Sequence, residues 1–270
     1  LVIGKQSSGK STFLKILCFC RWMEKLIMVS DEEAISQYTH NLKFLKSMKQ
    51  FHRFNDSYFS SASSIRYEGD TITITMENIL SDVKILRKPE FETVRYNTKL
   101  SFIPSERNLV SVIRNIDQSY RSAESDVLFN YIFEWGEAKD SYTAEHPKRL
   151  SFTDNIEYIN DGGNDLVRLI NENKMIPAYY ASSGVQSAMP LDVMADYFTG
   201  LVGKNASVSK HDLANTLARY LGKDKELTNE MLKSISNKMK YQSVQLFIEE
   251  PEQNLYPDSQ RNLTINLVVL

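Results

Sequence analysis

Apolar side chains recur at helical spacing from Phe13 to Met23, and this pattern predicts one amphipathic helix over residues 10–29. Ser30, with acids at the next three positions, is typical of a helix start and predicts a second helix that runs to about Phe51. Helical spacing also predicts helices over 106–120, 123–137 and about 186–240, and another from Asp258 onward.

From Ser63 the apolar period shortens to two, which is the period of a β-strand. Residues 65–68 and 71–76 alternate in this way around Gly69-Asp70, and the pattern predicts a β-hairpin. Further strands are predicted at 83–86, 100–103, 150–158, 166–170 and 244–248, with a turn at 160–163. This mixture of helices and short strands predicts an α/β fold.

The first residues carry a phosphate-binding pattern. Residues 4–12 read GKQSSGKST, a Walker A loop of the form G-x-x-x-x-G-K-S, between the apolar run Leu1-Val2-Ile3 and the first helix. Lys10 is expected to reach the β- and γ-phosphates, and Ser11 to offer its hydroxyl to Mg²⁺. A chance Gly/Ser turn is the alternative, but the strand–loop–helix context disfavours it. The predicted nucleotide-binding residues are Gly4, Lys5, Gln6, Ser7, Ser8, Gly9, Lys10, Ser11 and Thr12.

A second motif closes the last predicted strand. The apolar residues 244–248 lead into Glu249-Glu250-Pro251-Glu252, the form of a Walker B segment. Glu249 is expected to hold the Mg²⁺ shell, and Glu250 to polarise the attacking water as the catalytic base beside Lys10. Two exposed glutamates after a strand are the alternative, which the P-loop at the other end of the chain makes the weaker one.

Between these motifs, Ser182-Ser183-Gly184-Val185-Gln186 opens a predicted helix. A small, hydroxyl-bearing loop before a helix can bind an anion through backbone N–H groups and a serine hydroxyl. The P-loop already serves the chain's own nucleotide, so a second phosphate-binding loop suggests contact with the nucleotide of another molecule. A plain helix cap is the alternative.

Composition excludes some partners. The 270 residues have a formal net charge of −2, which gives no global attraction to nucleic acid or anionic lipid. Direct DNA binding would need a local patch; Lys43, Lys46, Lys49 and Arg53 offer one, but a solvated helix face is the favoured interpretation. No apolar run approaches the ~20 residues of a membrane span. The two cysteines, at positions 18 and 20, are expected to be buried thiols, so we predict a cytoplasmic protein with no membrane partner.

The three motifs GKQSSGKST, SSGVQ and FIEEPEQNLYP resemble, in this order, those of ABC-type ATPase heads of the SMC, RecF and OLD group. The resemblance spans nearly the whole chain. The E-E-P-E-x-x-L-x-P form with an S-S-G signature is most similar to OLD-type and related prokaryotic AAA ATPases, many of which belong to anti-phage defence modules. Within that group the chain is similar to the ATPase of PARIS-type systems, which works beside a TOPRIM-nuclease effector.

The resemblance implies a P-loop NTPase of the ABC-head type, with a central mixed sheet, an antiparallel β-subdomain and a helical insertion. It implies that Ser183, Gly184 and Gln186 bind the γ-phosphate of ATP held by a partner's P-loop, so that at least two heads sandwich the nucleotides. Ser11 and Glu249 are the implied Mg²⁺ ligands.

Some positions depart from that family pattern. Glu249 stands where most ABC proteins have Asp, and Val185 replaces the second signature glycine. A segment after the strand at 100–103 is the expected counterpart of the Q-loop, with Glu106 or Arg107 as the candidate residue. The switch histidine is expected beyond Leu270.

The resemblance also implies a domain plan. We expect a single ABC-type head over 1–270, cut at both ends because the chain starts with Leu inside the P-loop strand and stops within a helical pattern. An inserted β-hairpin and helical region is expected at 30–150. A lobe with the signature helix and Walker B is expected at 176–270.

The leading hypothesis is a Mg²⁺-ATP-binding and hydrolysing head that dimerises in an anti-phage complex controlling an effector nuclease. One alternative is an ATP-gated scaffold that sequesters a partner with little turnover. Another alternative is a DNA-repair ATPase, which is expected to have long coiled-coil arms between Walker A and the signature. The segment 30–150 instead has a pattern of short strands and helices, which counts against it. A GTPase is disfavoured because residues 237–240 read NKMK rather than N-K-x-D.

Overall fold

The computed structural model describes residues 2–5, 7–29, 32–89, 97–120, 126–203 and 240–269. The chain divides into two compact units, residues 1–100 with 125–127, and residues 101–124 with 128–270. The boundary near residue 100 falls inside the predicted inserted region of 30–150. The first unit contains the predicted P-loop, and the second contains the predicted signature and Walker B segments.

The first unit combines helices with one antiparallel sheet. Its elements are α1 (Lys10–Val29), α2 (Glu32–Tyr38), α3 (Lys43–His52), a 3₁₀ turn (Asp56–Tyr58), β1 (Ile65–Glu68), β2 (Ile72–Met76) and β3 (Lys84–Arg87). The strands lie in the order β1-β2-β3, and Ile65 pairs with Met76 in the hairpin. The predicted first helix, hairpin and following strand are confirmed to within a residue or two.

The predicted single helix over 30–51 is wrong, because the structure has two helices there. Asn41 and Leu42 adopt left-handed backbone conformations, with φ of 57° and 56°, which a continuing helix does not allow. The backbone N–H of Leu42 donates to a carboxylate oxygen of Asp82 at 2.8 Å. The predicted cap at Ser30 lies outside the described residues.

The proposed basic stripe is partly neutralised within its own unit. Lys49 forms an ion pair with Asp56 at 2.6 Å, and Arg53 forms one with Asp126 at 2.6 Å. These contacts favour the interpretation of α3 as an ordinary solvated helix face.

A buried carboxylate joins α1 to the hairpin. Glu24 is only 2% exposed and accepts hydrogen bonds from the hydroxyl of Tyr67 and from the backbone N–H and hydroxyl of Thr71, the last two at 2.7 and 2.8 Å. Arg21, one turn earlier in α1, bonds to the same carboxylate at 2.9 Å. The P-loop helix and the hairpin are therefore held together by a satisfied polar network as well as by apolar packing.

The second unit is built around a four-stranded antiparallel sheet and a long helix. Its helices and turns are a 3₁₀ turn (Ser105–Asn108), α4 (Leu109–Val112), α5 (Ile116–Ser119), α6 (Val127–Lys139), a 3₁₀ turn (Ala178–Tyr180), α7 (Ser183–Thr199) and α8 (Pro257–Val269). Its strands are β4 (Thr98–Ile103), which begins in the first unit, β5 (Lys148–Arg149), β6 (Ile156–Asp161), β7 (Asn164–Leu169), β8 (Lys174–Pro177) and β9 (Ser243–Ile248).

Two sheets result, β5-β6-β7-β8 and the pair β4-β9. The core packs buried aromatics of α6 and β6, such as Trp135 and Tyr158, against the apolar face of α7. The predicted strands at 100–103, 166–170 and 244–248 and the helix from Asp258 are confirmed. The central mixed sheet that would carry both the P-loop and Walker B stays a prediction.

Several predicted elements of this unit are wrong. The helix over 106–120 is broken, because Asn115 has a left-handed φ of 51° between α4 and α5. The strand over 150–158 begins only at Ile156; Leu150 and Phe152 are buried in the turn between β5 and β6, so their alternation reflects burial and not a strand. Strand β8 was not predicted.

The ends of two predictions also differ. Val2 and Ile3, expected in a strand, lie in none of the strands of the described chain, and Ile3 is 83% exposed. The helix expected over 186–240 is seen from Ser183 to Thr199, and residues 204–239 lie outside the described residues.

Gly69→Ala tests the junction between α1 and the hairpin. A Cβ at this position would overlap the Glu24 carboxylate, which its buried hydrogen bonds prevent from moving away. We expect a loss of about 1–3 kcal/mol in the free energy of unfolding, measured by urea denaturation. Asp70→Ala in the same turn, at an exposed ion pair, is the matched control and should cost less than about 1 kcal/mol. Equal losses for the two variants would contradict the proposed overlap.

A pH dependence follows from His52, which is 1% exposed. Burial, with a smaller effect of Lys15, lowers the pKa of His52 from 6.5 to about 3. The unfolded chain therefore binds more protons between these values, so this stability is fully present above about pH 6.5 and is lost as the pH falls toward 3. The slope is at most about 1.4 kcal/mol per pH unit.

His52→Leu should remove this slope. Urea denaturation at pH 7.5, 6.5 and 5.5 measures it, and the comparison of slopes cancels any constant change in stability that the substitution brings. Parallel pH profiles for the parent and the variant would show that His52 has the same pKa in the folded and unfolded protein, which would contradict the prediction.

Candidate functional site

The predicted P-loop, residues 4–12, contains two residues with left-handed backbone conformations. Ser7 and Gly9 have left-handed φ of 60° and 86°, and glycine is the residue that adopts the second value without strain. The N–H of Ser8 donates to the carbonyl of Lys5 at 3.3 Å, and α1 then begins at Lys10. Gln6 lies outside the described residues.

The side chain of Lys10 folds back over this loop. Its Nζ donates to the carbonyls of Gly4 and Lys5, each at 2.9 Å. Both contacts join the ammonium to carbonyls of its own loop, five and six positions earlier in the chain. Ser8, Gly9 and Ser11 are exposed, so the loop and the Ser11 hydroxyl are accessible to a ligand.

Sequence reasoning missed one neighbour of the loop. The hydroxyl of Thr12 contacts the hydroxyl of Tyr58, whose side chain is about half exposed. Because the two residues lie 46 positions apart and Tyr58 belongs to a short 3₁₀ turn, no local pattern indicates this contact.

The Walker B carboxylates have contrasting environments. Glu249 is 5% exposed; its N–H donates to the carbonyl of Ile103 at 3.0 Å, and its carboxylate accepts from the N–H of Ser105 at 3.4 Å. Glu250 is exposed and has a left-handed φ of 44°, which costs a non-glycine residue about 1–2 kcal/mol. A buried carboxylate suits a fixed ligand, and an exposed one suits contact with water.

Arg107 is fully buried and joins the Walker B turn to α7. Its guanidinium donates to the carbonyls of Ser187 at 2.8 Å, Glu249 at 2.7 Å and Glu250 at 2.7 Å, with a longer bond of 3.4 Å to Pro104. Burial lowers the pKa of Arg107, and the hydroxyl of Tyr131 and nearby glutamates oppose that change. Arg107 was a candidate for a Q-loop role. In the described chain its guanidinium bonds to the backbone of Pro104, of Ser187 directly after the predicted signature, and of the predicted Walker B residues Glu249 and Glu250.

The signature segment forms the start of α7. Ser182 caps the helix by accepting from the N–H of Val185 at 3.5 Å, and Ser183 is exposed at its first position. Gln186 instead turns back into its own unit and donates to the carbonyl of Tyr179 at 3.0 Å. Of the predicted signature residues, Ser183 is therefore the most accessible.

The signature and Walker B segments meet in the second unit. A Cβ on Gly184 would lie 2.9 Å from the carbonyl oxygen of Asn254, so glycine is required by space. The side-chain amide of Asn254 also donates to the hydroxyl of Ser187 at 2.9 Å. The P-loop, with Lys10 and Ser11, belongs to the other unit.

Among the described residues, no group of three or more His, Cys, Asp and Glu side chains is placed to hold a metal ion. Likewise, none of the described helices is both long and apolar enough to cross a bilayer. Comparisons of the chain with protein-family models, with curated proteins and with solved structures gave no match.

Gly184→Ala tests the contact between α7 and the turn after β9. The added Cβ meets a backbone carbonyl, which cannot rotate away, so we expect a net loss of about 1–3 kcal/mol despite the higher helix propensity of alanine. Ser183→Ala, one position earlier and exposed, is the control and should change stability by less than about 0.5 kcal/mol. Urea denaturation measures both, and a Gly184→Ala protein as stable as the parent would contradict the close approach.

Proposed function

We propose that this chain is a Mg²⁺-ATP-binding and hydrolysing ABC-type ATPase that assembles through nucleotide-sandwiched heads. The observation that carries the proposal is the arrangement of the P-loop. An exposed loop with a left-handed Gly9 turns into the N-terminus of α1, and Lys10 Nζ lies 2.9 Å from two loop carbonyls. Backbone N–H groups, a helix N-terminus and a lysine are the elements that bind nucleotide phosphates.

In this proposal Lys10 exchanges its contacts with the carbonyls of Gly4 and Lys5 for phosphate oxygens. The exchange replaces neutral acceptors by charged ones, which form stronger hydrogen bonds. Loop residues 4–12 supply the remaining contacts to the nucleotide. Loss of the lysine removes both the charge and the donor.

Mg²⁺ prefers oxygen ligands and commonly uses one or two protein groups together with phosphates and water. The resemblance of the motifs is the basis for proposing Ser11 and Glu249 as those groups. Ser11 supplies an exposed hydroxyl and Glu249 a buried carboxylate. A site of this kind does not need a cluster of three carboxylates. When bound, the ion would neutralise charge on the transferred phosphoryl group.

Glu250 is proposed to orient the attacking water and accept its proton. Its side chain is exposed while its backbone is held by Arg107, so it is placed by the protein and reachable by solvent. Ser183, exposed at the start of α7, is proposed to complete the site of a partner subunit. Catalysis then depends mainly on positioning and charge stabilisation.

The wider role is proposed from the resemblance of the three motifs. We place the assembled heads in a cytoplasmic anti-phage complex that controls an effector protein, with a TOPRIM-type nuclease as the expected effector. Direct DNA contact is not part of the proposal, because Lys49 and Arg53 already form ion pairs within the protein.

Lys10→Ala and Glu250→Gln separate nucleotide binding from hydrolysis. We expect Lys10→Ala to abolish ATP binding, and Glu250→Gln to bind ATP but to lower kcat by roughly 100-fold or more. Light scattering of the full-length protein with and without Mg²⁺-ATP should show a mass increase that Glu250→Gln makes persistent and Lys10→Ala prevents. Phosphate release measured in parallel gives kcat.

Two results would contradict this assignment. Unchanged turnover in Glu250→Gln would exclude that residue as the base. A mass that is high and indifferent to ATP in every variant, with little turnover, would favour the ATP-gated scaffold.

A further inference from the structure

We propose that Arg107 is a positioning residue that couples the first turns of α7 to the placement of Glu250. The inference rests on the proposed ATPase function and adds a means of regulation to it. A change at the start of α7 would reach the catalytic carboxylate through the backbone bonds of this guanidinium and through a parallel bond between Asn254 and Ser187.

The geometry of Arg107 makes it a rigid connector. Its planar guanidinium bonds at once to the carbonyls of Ser187 in α7 and of Glu249 and Glu250 after β9. A guanidinium presents its donors in fixed directions, so the acceptors cannot shift independently without losing bonds. The group is fully buried, where each lost bond leaves an unsatisfied donor.

The backbone of Glu250 needs such a restraint. Its left-handed φ of 44° is unfavourable for glutamate and persists where surrounding contacts determine it. The Arg107 bond to the Glu250 carbonyl, together with a bond from the N–H of Gln253 to the same oxygen at 3.0 Å, supplies these contacts. Release of this carbonyl would let the backbone relax and would redirect the carboxylate.

A second connection runs in parallel. Asn254 is also left-handed, with a φ of 61°, and its side chain donates to the hydroxyl of Ser187. Ser187 therefore contacts both Arg107 and Asn254, through its carbonyl and its hydroxyl. The turn that carries Glu250 is fixed to α7 at two points.

This arrangement gives the signature loop a regulatory role. Ser183 is exposed at the start of the same helix, four positions before the residue that Arg107 holds. A phosphate that engages Ser183 would fix the first turn of α7, and through Arg107 would fix Glu250. Hydrolysis would thus depend on occupation of the signature loop.

A double-mutant experiment tests the coupling. Arg107→Lys keeps the charge but cannot span the same carbonyls, and a 1 Å misplacement of a catalytic group can cost roughly 100-fold in rate. We expect Arg107→Lys to lower kcat by about 10- to 100-fold with ATP affinity unchanged. In the Glu250→Gln background the same change should have no further effect on residual turnover, because the group that it positions is gone.

A merely structural role would give a different result. If Arg107→Lys only reduced the folded fraction, it would lower turnover by the same factor in both backgrounds. Equal factors would overturn the proposal, as would an unchanged kcat in a folded Arg107→Lys protein. Arg149→Lys, an exposed arginine in β5 that bonds to the carbonyl of Asp154, is the matched control and should leave kcat unchanged.

Asn254→Gly keeps the experiment decisive if Arg107→Lys does not fold. Glycine tolerates the left-handed backbone, so this variant removes only the bond to Ser187. We expect a several-fold loss of kcat that again disappears in the Glu250→Gln background, and an unchanged kcat would overturn the proposal. If the parent shows no hydrolysis that depends on Lys10, the proposed function itself fails and the coupling fails with it.

Discussion

The second unit depends on a buried positive charge that is bonded to the peptide backbone. An ion removed from water is costly unless its donors are satisfied, and the donors of Arg107 reach carbonyls on segments far apart in sequence: Pro104, Ser187, Glu249 and Glu250. If these segments moved apart, the guanidinium would lose its acceptors while still buried, which is energetically costly. The segments are therefore hard to separate. The hydroxyl of Tyr131, which donates to the carbonyl of Arg107 itself at 2.7 Å, ties this point to the core helix α6.

The first unit solves a similar problem with the opposite charge. Glu24 is buried in α1, and its carboxylate is satisfied by backbone and hydroxyl donors of the hairpin together with Arg21. In each unit, therefore, a helix that begins at a predicted phosphate-binding loop is fixed by a buried ion whose partners include backbone groups. Such contacts restrict position more tightly than apolar packing, because hydrogen bonds weaken steeply with angle and distance.

The spacing of apolar residues along the sequence predicts many of the helices and strands, but it does not predict the hydrogen bonds made by the buried ions Arg107 and Glu24. Helix α1 and the hairpin follow from apolar spacing, because each has a regular face against a core. The helix breaks at Asn41 and Leu42 and at Asn115 depend on one or two left-handed residues, which apolar periodicity does not reveal. Leu150 and Phe152 are both buried in a turn, so their spacing of two residues produced the sequence pattern of a strand where none is present. Arg107 could not be interpreted from local sequence, because three of its four carbonyl partners lie 80 to 143 positions away.

The glycines of the two predicted phosphate-binding loops, Gly9 and Gly184, are required for different structural reasons. Gly9 is required by its backbone angle, and Gly184 by the carbonyl of Asn254 that its α-carbon faces. Both requirements come from the protein's own backbone atoms. The ammonium of Lys10 bonds to the loop carbonyls of Gly4 and Lys5. The same group is expected to bind phosphate. A loop held in one conformation by such constraints would lose little conformational entropy on binding a phosphate, which supports the proposed role of these two loops.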